Sequence, residues 1–367
     1  MKILLFDNSA LLEMNNDYCI EMRTGEFAKE LQSLGNEVTF FGQILPGTKN
    51  TTDVFKLKAN GLKVTGLKRK KSKIWSYLTL YISAIPSIYR SDFVYFFYPT
   101  AFKYLMLICW LFRKKYGLYI RGMDNLKDFD SKLFYKNAYA IFTVADTFTD
   151  YVNGVSNKGN AQTIRPMITY SSLDIIQQKD RLINKGRFDI LYLGRMANDK
   201  GIIELIYAAQ ILKKEKITFH INLVGSGEYI DELKKLVTQL SVGELVSFIG
   251  PIFDKDEIMK CYLTHHIYIL PTYHEGFPRT LYEAMIFGTP IITTFVGGIA
   301  GLMKNDCNCL EIKPKSVQSI VESIKFAIEN PNRMTTLSEN AKTTIEKVFE
   351  ERRFSHAEDL HHKLDRG

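Results

Sequence analysis

The chain contains 367 residues, of which 46% are hydrophobic and 24% are charged. This length predicts two domains, each long enough to bury a sizeable core, and the composition is close to that of ordinary globular proteins. The five cysteines are scattered, which argues against a disulfide framework and a zinc site. The apolar runs 1–6 and 104–112 are too short for a signal peptide or a membrane-spanning helix. We therefore expect a cytoplasmic protein.

Positive charge is concentrated in the N-terminal half. Residues 1–170 hold 23 Lys and Arg against 14 Asp and Glu, and the densest cluster is 68–73, Lys-Arg-Lys-Lys-Ser-Lys. Such a cluster suits an anionic membrane surface, a phosphate-bearing acceptor or nucleic acid, and it is equally typical of a solvated loop. Peripheral association with the inner face of the cell membrane is therefore one interpretation, whereas nucleic acid is not an expected partner.

Short apolar runs alternate with amphipathic stretches along the chain, which predicts βαβ units and parallel sheets. In the first half the predicted strands are 2–6, 37–41, 92–97, 117–120 and 139–144, and the predicted helices are 23–34, 75–88, 101–112 and 131–137. The polar stretch 174–187 predicts an interdomain linker. In the second half the predicted strands are 190–193, 219–224, 246–249, 267–270 and 290–293, and the predicted helices are 202–213, 229–239, 255–262, 279–287, 316–328 and 333–348. The expected domains are 1–172 and 187–348.

The helix 101–112 is followed by Arg113, Lys114 and Lys115. It could lie on a membrane with its cations on lipid headgroups. The interpretation that we favour is a core-facing helix with a basic C-terminal end.

Residues 194–201, Gly-Arg-Met-Ala-Asn-Asp-Lys-Gly, follow a predicted strand and open a predicted helix. A helix N-terminus attracts anions through its free N–H groups and its dipole. Arg195 and Lys200 add a guanidinium fork and a point charge at the same end, which suits a diphosphate. The alternative is a surface turn with two solvated cations.

Residues 271–285 follow the predicted strand 267–270 and contain two acidic residues eight positions apart, Glu275 and Glu283. Gly276 lets the backbone approach a ligand closely, and N–H groups at the start of the helix would point towards it. Each acidic residue also has a structural alternative. Glu283 has the spacing of a capping box with Thr280, and Glu275 could complement a helix dipole.

The block 275–285, Glu-Gly-Phe-Pro-Arg-Thr-Leu-Tyr-Glu-Ala-Met, resembles the Glu-x7-Glu signature of retaining glycosyltransferases of family 4, among the group 1 glycosyl transferases. Segments 194–201, 224–227, 248–250, 288–292 and 297–299 also match the pattern of that family. The resemblance implies an α/β protein of the GT-B fold, with two Rossmann-like doubly wound domains facing a central cleft. It also implies that the last helix, within residues 350–367, packs back on the N-terminal domain.

By the same resemblance, Arg195 and Lys200 hold the donor diphosphate, Glu283 contacts the nucleotide ribose, and Glu275 contacts the donor sugar near the reacting centre. Catalysis is assigned to these two cations and Glu275, with no metal ion and no cofactor, because the cations already neutralise the diphosphate. Further donor-binding residues are expected on the loops that follow the strands. They are Gly194, Gly225, Gly250, Ile252, Gly276, Phe277, Pro278, Arg279 and Thr280.

The N-terminal half matches the family less closely. Only Gly25 remains of the Gly-Gly pair that members often carry near the first helix, and Arg121 stands at the place where many members have a His. Asp124 lies near by, and Tyr98 ends an aromatic strand. These four residues are the candidates for the acceptor side or the cleft, and each also has a structural interpretation.

The sequence therefore predicts a retaining hexosyltransferase that moves a sugar from a UDP- or GDP-type donor to a glycan or lipid-linked acceptor. The expected setting is bacterial surface polysaccharide synthesis, as in capsule or lipopolysaccharide. Two alternatives stay open: a sugar-nucleotide epimerase with a GT-B-like fold, and a non-catalytic subunit that binds a sugar nucleotide or a glycan.

Overall fold

A computed structural model describes residues 1–47, 54–69, 72–122, 125–165, 167–175 and 186–366. The chain divides into two compact units. Unit 1 comprises Met1–Met167 and Phe354–Gly367, and unit 2 comprises Ile168–Arg353. Most of the predicted linker lies outside the described residues.

Unit 1 contains one sheet and the helices that cover it. Its strands are β1 (Lys2–Phe6), β2 (Leu11–Met14), β3 (Asp17–Glu21), β4 (Glu37–Pro46), β5 (Val54–Lys56), β6 (Lys63–Lys68), β7 (Phe93–Tyr98), β8 (Lys115–Ile120), β9 (Ala140–Thr143) and β10 (Ala161–Thr163). Its helices are α1 (Met22–Ser33), α2 (Lys73–Arg90), α3 (Leu105–Leu111), α4 (Phe129–Asn137), α5 (Asp146–Ser156) and, at the end of the chain, α13 (His356–Asp365).

Unit 2 repeats this architecture with a smaller sheet. Its strands are β11 (Phe188–Leu193), β12 (Phe219–Val224), β13 (Val246–Gly250), β14 (Ile267–Leu270), β15 (Ile291–Thr293) and β16 (Leu310–Glu311). Its helices are α6 (Ile202–Lys214), α7 (Ile230–Gln239), α8 (Lys255–Thr264), α9 (Arg279–Ile286), α10 (Ile299–Leu302), α11 (Val317–Glu329) and α12 (Pro331–Glu351).

The central strands of unit 1 are buried on both faces. The sheet order is β10-β9-β8-β7-β1-β4-β2-β3-β5, with β6 also paired to β4. In β7, Phe93, Tyr95 and Phe97 belong to one buried cluster, which includes residues of α1 and α13. The alternate residues of β7 belong to a second cluster, which includes residues of α2 to α5. Helices therefore cover both faces of the sheet, as in a doubly wound fold.

The sheet of unit 2 is wholly parallel among its described strands and has the order β13-β12-β11-β14-β15-β16. The strand order reverses between β11 and β14. In such sheets, ligands bind outside the carboxyl ends of the strands at this switch point. The loops after β11 and β14 are therefore the first place to look for a site.

The predicted α/β class with parallel sheets is confirmed, and most predicted elements are present within a few residues of the expected bounds. Helix 101–112 is shorter, with residues 101–104 in turns before α3. The sequence analysis missed β2, β3, β5, β6, β10, β16 and two helices, α5 and α10. Among the described residues, none of the helices combines the length and the apolar character that crossing a bilayer requires.

Candidate functional site

The loops after β11 and β14 are joined directly at the switch point of unit 2. The backbone carbonyl of Asp199 accepts hydrogen bonds from the Tyr273 N–H, at 2.8 Å, and from the Thr272 hydroxyl, at 3.2 Å. Gly201 has a φ of +68°, and a Cβ on it would lie 2.0 Å from the carbonyl oxygen of Pro271. Only glycine permits this approach without displacing the backbone. The contact fixes residues 194–201 against residues 271–275.

Lys200 and Glu275, 75 positions apart in the sequence, meet at this junction. The Lys200 Nζ lies 2.5 Å from the Glu275 Oε1 and 3.3 Å from the His274 carbonyl oxygen. Both side chains are largely buried, with 11% and 18% of their surface exposed. A buried cation is costly without a partner, so each charge stabilises the other. The structure thus brings together the two residues that the sequence analysis placed at a donor phosphate and a donor sugar.

Arg195 lies at the rim of the same junction. Its side chain is 58% exposed and makes long contacts with Asp199, at 3.4 Å, and with Glu228, at 3.3 Å. Exposed pairs of this kind contribute about 0–1 kcal/mol. The guanidinium is therefore weakly held and free to reorient towards an incoming anion, whereas Lys200 is fixed.

Buried tyrosine hydroxyls support the loops from beneath, and the sequence analysis missed them. The Tyr192 hydroxyl donates to the Arg195 carbonyl at 2.8 Å, and the Tyr268 hydroxyl donates to the Thr280 Oγ1 at 2.6 Å. Burial raises the pKa of Tyr192 and Tyr268 well above the ordinary tyrosine value, so both stay neutral donors. The signal that could have revealed them is a tyrosine inside a buried strand, since a buried hydroxyl needs a hydrogen-bond partner.

Glu283 is held by Tyr262, whose hydroxyl donates to its Oε2 at 2.9 Å. The capping-box interpretation of Thr280 and Glu283 is wrong, because α9 begins at Arg279 and the residue before it is Pro278. Thr280 therefore lies inside the helix and not at its cap. The Glu283 carboxylate is oriented by a neighbouring helix, α8, instead.

The other predicted donor-binding residues differ in exposure. Arg279 is exposed, whereas Gly276 is buried, and Phe277 is buried with its ring 4.3 Å from that of Tyr282. Pro278 and Ile252 are half-buried. The Phe277 side chain thus packs inward.

Three loop glycines lie together at the carboxyl edge of the sheet. The Gly225 N–H donates to the Gly250 carbonyl at 2.9 Å, and the Gly194 N–H donates to the Val224 carbonyl at 3.0 Å. Gly225 has a φ of +136°, and a Cβ on it would lie 2.0 Å from the Gly194 carbonyl oxygen. The loops after β11 and β12 consequently pack without side chains between them.

In unit 1, the prediction that Tyr98 lines a cleft is wrong. Its side chain is completely buried, and its hydroxyl is hydrogen-bonded to the Ser131 hydroxyl of α4. The cause is strand alternation, because Tyr98 points to the same face as Val94 and Phe96, which helices α2 to α5 cover. Gly25 has a packing role, because a Cβ on it would lie 2.1 Å from the Phe55 ring.

Arg121 follows β8 and contacts residues that follow β1. Its guanidinium lies 3.4 Å from the Asp7 Oδ1, is hydrogen-bonded to Asn8, and lies over the Phe97 ring at 5.3 Å. Asp7 is almost fully buried. A polar group thus forms at the carboxyl edge of the first sheet, and Asp7 and Asn8 are members that the sequence analysis did not select. The fourth candidate, Asp124, lies outside the described residues.

Comparison of the whole structure with solved structures identifies the fold class. Anabaena HepE, solved in complex with UDP, aligns over 100% of both chains with a TM-score of 0.70 and 16% sequence identity. The predicted GT-B fold is confirmed by this likeness. At this identity the likeness concerns the fold alone.

The family match by sequence lies within unit 2. Residues 174–344 match the family model of glycosyl transferases group 1. An uncharacterized glycosyltransferase of Haemophilus influenzae is 28% identical over 191 residues, covering 50% of this chain and 53% of the relative. The putative teichuronic acid biosynthesis glycosyltransferase TuaC of Bacillus subtilis is 30% identical over 174 residues, covering 47% and 41%. The chain spans about half the length of these curated relatives, and the matched segment is similar to group 1 glycosyltransferases.

Proposed function

We propose that this protein is a glycosyltransferase that moves a sugar from a nucleotide diphosphate donor to a glycan or a lipid-linked acceptor. The observation that carries the proposal is the buried Lys200–Glu275 pair, 2.5 Å apart, at the switch point of a doubly wound sheet. A cation and a carboxylate fixed side by side offer partners for two adjoining parts of a sugar nucleotide, the diphosphate and the sugar. The cation suits the phosphates, and the carboxylate suits sugar hydroxyl groups.

The chemistry requires stabilisation of a leaving diphosphate while the sugar gains oxocarbenium-like character. Lys200 is positioned before the reaction begins, and Arg195 can turn from its weak surface contacts towards the phosphates. The N-terminus of α6, which begins at Ile202, adds a favourable dipole for the same anion. Preorganised charges of this kind lower the barrier because they need no rearrangement as charge develops.

Glu275 is assigned to the donor sugar and Glu283 to the nucleotide ribose. We propose same-face transfer, so that the anomeric configuration is retained and a leaving phosphate oxygen accepts the proton of the acceptor hydroxyl. The sugar–phosphate bond breaks, the bond from the acceptor oxygen to the sugar forms, and the nucleoside diphosphate leaves with the proton. The two cations carry the charge stabilisation, so the proposal assigns no metal ion and no cofactor.

UDP-linked hexoses are the first donors to test, and GDP-linked ones the second. HepE was solved with UDP, and TuaC is named for teichuronic acid synthesis. These relatives support a UDP-type donor and a setting in surface polysaccharide synthesis, with capsule and lipopolysaccharide as the two cases to examine.

The test is donor binding followed by transfer. A thermal-shift screen against UDP- and GDP-sugars selects the donor, and a labelled acceptor series then measures turnover. We expect Glu275→Ala and Arg195→Ala each to lower kcat/KM by about 100-fold or more. The matched exposed variants Glu232→Ala and Lys235→Ala in α7 should leave it unchanged. Normal turnover of both site variants would refute the assignment, and nuclear magnetic resonance of the product decides retention.

The two alternatives give different outcomes in the same assays. An epimerase forms product from the donor without any acceptor. A non-catalytic subunit binds the donor, but neither transfers nor hydrolyses it across the acceptor series. Either outcome would replace the transferase proposal.

A further inference from the structure

The outward face of α2 is apolar, contrary to what a water-facing helix requires. Trp75, Leu78, Ile82 and Tyr89 all lie on this face, and their exposed fractions run from 48% to 64%. Their spacing of three, four and seven positions keeps them on one side of the helix. The helix contains no acidic residue, and its charged residues, Lys73 and Arg90, stand at its two ends.

Helix α3 and its flanking residues extend this apolar surface. Tyr104, Leu107, Trp110 and Leu111 are exposed, and Trp110 and Leu111 are each about 70% exposed. The Phe112 ring after α3 contacts the Tyr89 ring of α2 with a centroid distance of 5.9 Å. We call the exposed apolar residues of these segments the α2–α3 face. Its members are Trp75, Leu78, Ile82, Tyr89, Tyr104, Leu107, Trp110, Leu111 and Phe112.

Both tryptophans of the chain belong to this face. Tryptophan concentrates at membrane–water boundaries, where an apolar ring with one polar N–H is well solvated. Monomeric soluble proteins rarely expose a large contiguous apolar patch. Where such a patch is exposed, it marks an interaction site. The face therefore needs a partner with an apolar surface.

A cationic groove adjoins the face. One shallow depression is lined by Trp110 and Leu111 together with Arg113 and Lys114, and the next is lined by these two cations and by Lys115 and Lys158. Among the described residues that line the two depressions, none is Asp or Glu. The apolar face and the cationic groove thus lie side by side. In a bilayer the acyl chains and the phosphate headgroups are adjacent in the same way.

Arg113 occupies a backbone conformation that favours glycine. It follows α3 with a φ of +51°, and its N–H donates to the Trp110 carbonyl at 3.0 Å. A non-glycine residue in this left-handed region carries a cost in free energy. Glycine would therefore fit this turn with less strain, and arginine adds a positive charge to the groove.

We propose that the α2–α3 face docks on a bilayer that contains anionic phospholipids, with headgroup phosphates in the Arg113–Lys114–Lys115–Lys158 groove. The apolar side chains enter the interfacial region and the cations bind phosphate, as in other amphipathic surfaces that lie in the membrane plane. A second copy of the chain fits the face less well. A symmetric contact would bring two like-charged grooves towards each other.

The test uses the full chain without donor or acceptor, so its result is independent of the proposed transferase activity. Vesicles of phosphatidylcholine alone are compared with vesicles of equal parts phosphatidylcholine and phosphatidylglycerol. Because both tryptophans lie on the face, we expect their emission to shift to the blue on the mixed vesicles and little on the neutral ones. Co-sedimentation should weaken as salt concentration rises.

Variants separate the apolar contribution from the charge. Leu111→Ser and Ile82→Ser should weaken co-sedimentation, whereas Leu173→Ser, the same change at an exposed leucine of unit 2, should not. Arg113→Gly and Lys158→Ser should each weaken it by about fivefold, and Lys235→Ser should not. Because glycine adopts the Arg113 conformation readily, Arg113→Gly should keep or raise the unfolding temperature, which excludes misfolding as the cause.

Three outcomes would overturn the proposal. They are tryptophan emission unaffected by the mixed vesicles, equal binding of Leu111→Ser and the unsubstituted chain, and a stable dimer in light scattering that Leu111→Ser dissociates. The last would assign the face to a second copy instead.

Discussion

At the residue scale, the site of unit 2 depends on hydroxyl groups that no loop motif contains. Tyr192, Tyr262 and Tyr268 each place a buried hydroxyl on a residue of the candidate site or its supporting helix. A buried hydroxyl that donates to a carboxylate fixes the direction of its lone pairs. These tyrosines are positioning residues, since they act through Arg195, Glu283 and Thr280.

Replacing Tyr262 with phenylalanine should weaken UDP binding by about tenfold, because the Glu283 carboxylate loses its 2.9 Å donor and its fixed orientation. Isothermal titration with UDP measures the effect. The matched control is Tyr116→Phe in unit 1, which removes a buried hydroxyl that donates to the Phe134 carbonyl at 2.8 Å. Both variants should lose similar stability. An equal UDP affinity for Tyr262→Phe and Tyr116→Phe would contradict the role of Tyr262.

At the element scale, backbone contacts without side chains hold the strand-end loops together. Gly201 closes the junction between the loops after β11 and β14, and it is also the residue before α6. A side chain there would push Lys200 away from Glu275, since the two residues belong to the two loops that the junction joins.

We expect Gly201→Ala to lower the free energy of unfolding by at least about 1–2 kcal/mol, because its Cβ would meet the Pro271 carbonyl and its φ is positive. Urea denaturation measures the loss. Gly154→Ala in the last turn of α5 is the control, since nothing lies within 4 Å of the added Cβ. That variant should gain about 0.5–1 kcal/mol. Unchanged stability of Gly201→Ala would show that the loops are not packed as described.

The missed elements share a physical cause. Strands β2, β3, β5 and β10 have three to five residues, and β6 is half-exposed. Short strands with mixed polarity carry little periodic signal and form only because a neighbouring strand supplies their hydrogen bonds. Strands β1, β7 and β11, by contrast, are mostly apolar and buried along their length, and the sequence predicted all three.

At the scale of the whole molecule, the chain forms most of unit 1 first and then unit 2, and its last helix belongs to unit 1 again. His356, the first residue of α13, is buried in unit 1, with its ring 4.4 Å from that of Phe27 and 4.3 Å from that of Tyr119. Its Nε2 lies 2.6 Å from the Tyr95 hydroxyl. Burial, with a smaller contribution from Arg121, lowers the pKa of His356 to about 3.

The lowered pKa of His356 predicts release of α13 in acid. Below the unfolded-state pKa of about 6.5, His356 is protonated when α13 is released but stays neutral when α13 is docked. The free energy that holds α13 in place therefore falls by about 1.4 kcal/mol per pH unit until about pH 3. Hydrogen exchange of residues 356–365 at pH 7 and pH 5 should show this loss of protection. In His356→Phe the loss should be much smaller. Burial raises the pKa of Asp359 to about 6, so protonation of Asp359 stabilises docked α13 in acid. This effect is present in both proteins, and the difference between them therefore reports His356.

The sequence by itself determined the alternation of strands and helices and the loops that carry Arg195, Lys200, Glu275 and Glu283, because apolar periodicity and helix-start chemistry are local properties. Only the tertiary structure decided which of these residues touch. The Lys200–Glu275 contact depends on strand order, and the burial of Tyr98 depends on the face to which its side chain points. The contact of Tyr262 with Glu283 depends on how α8 packs beside α9. Such contacts join distant positions, and their energies depend on burial and on partners that a local pattern does not contain.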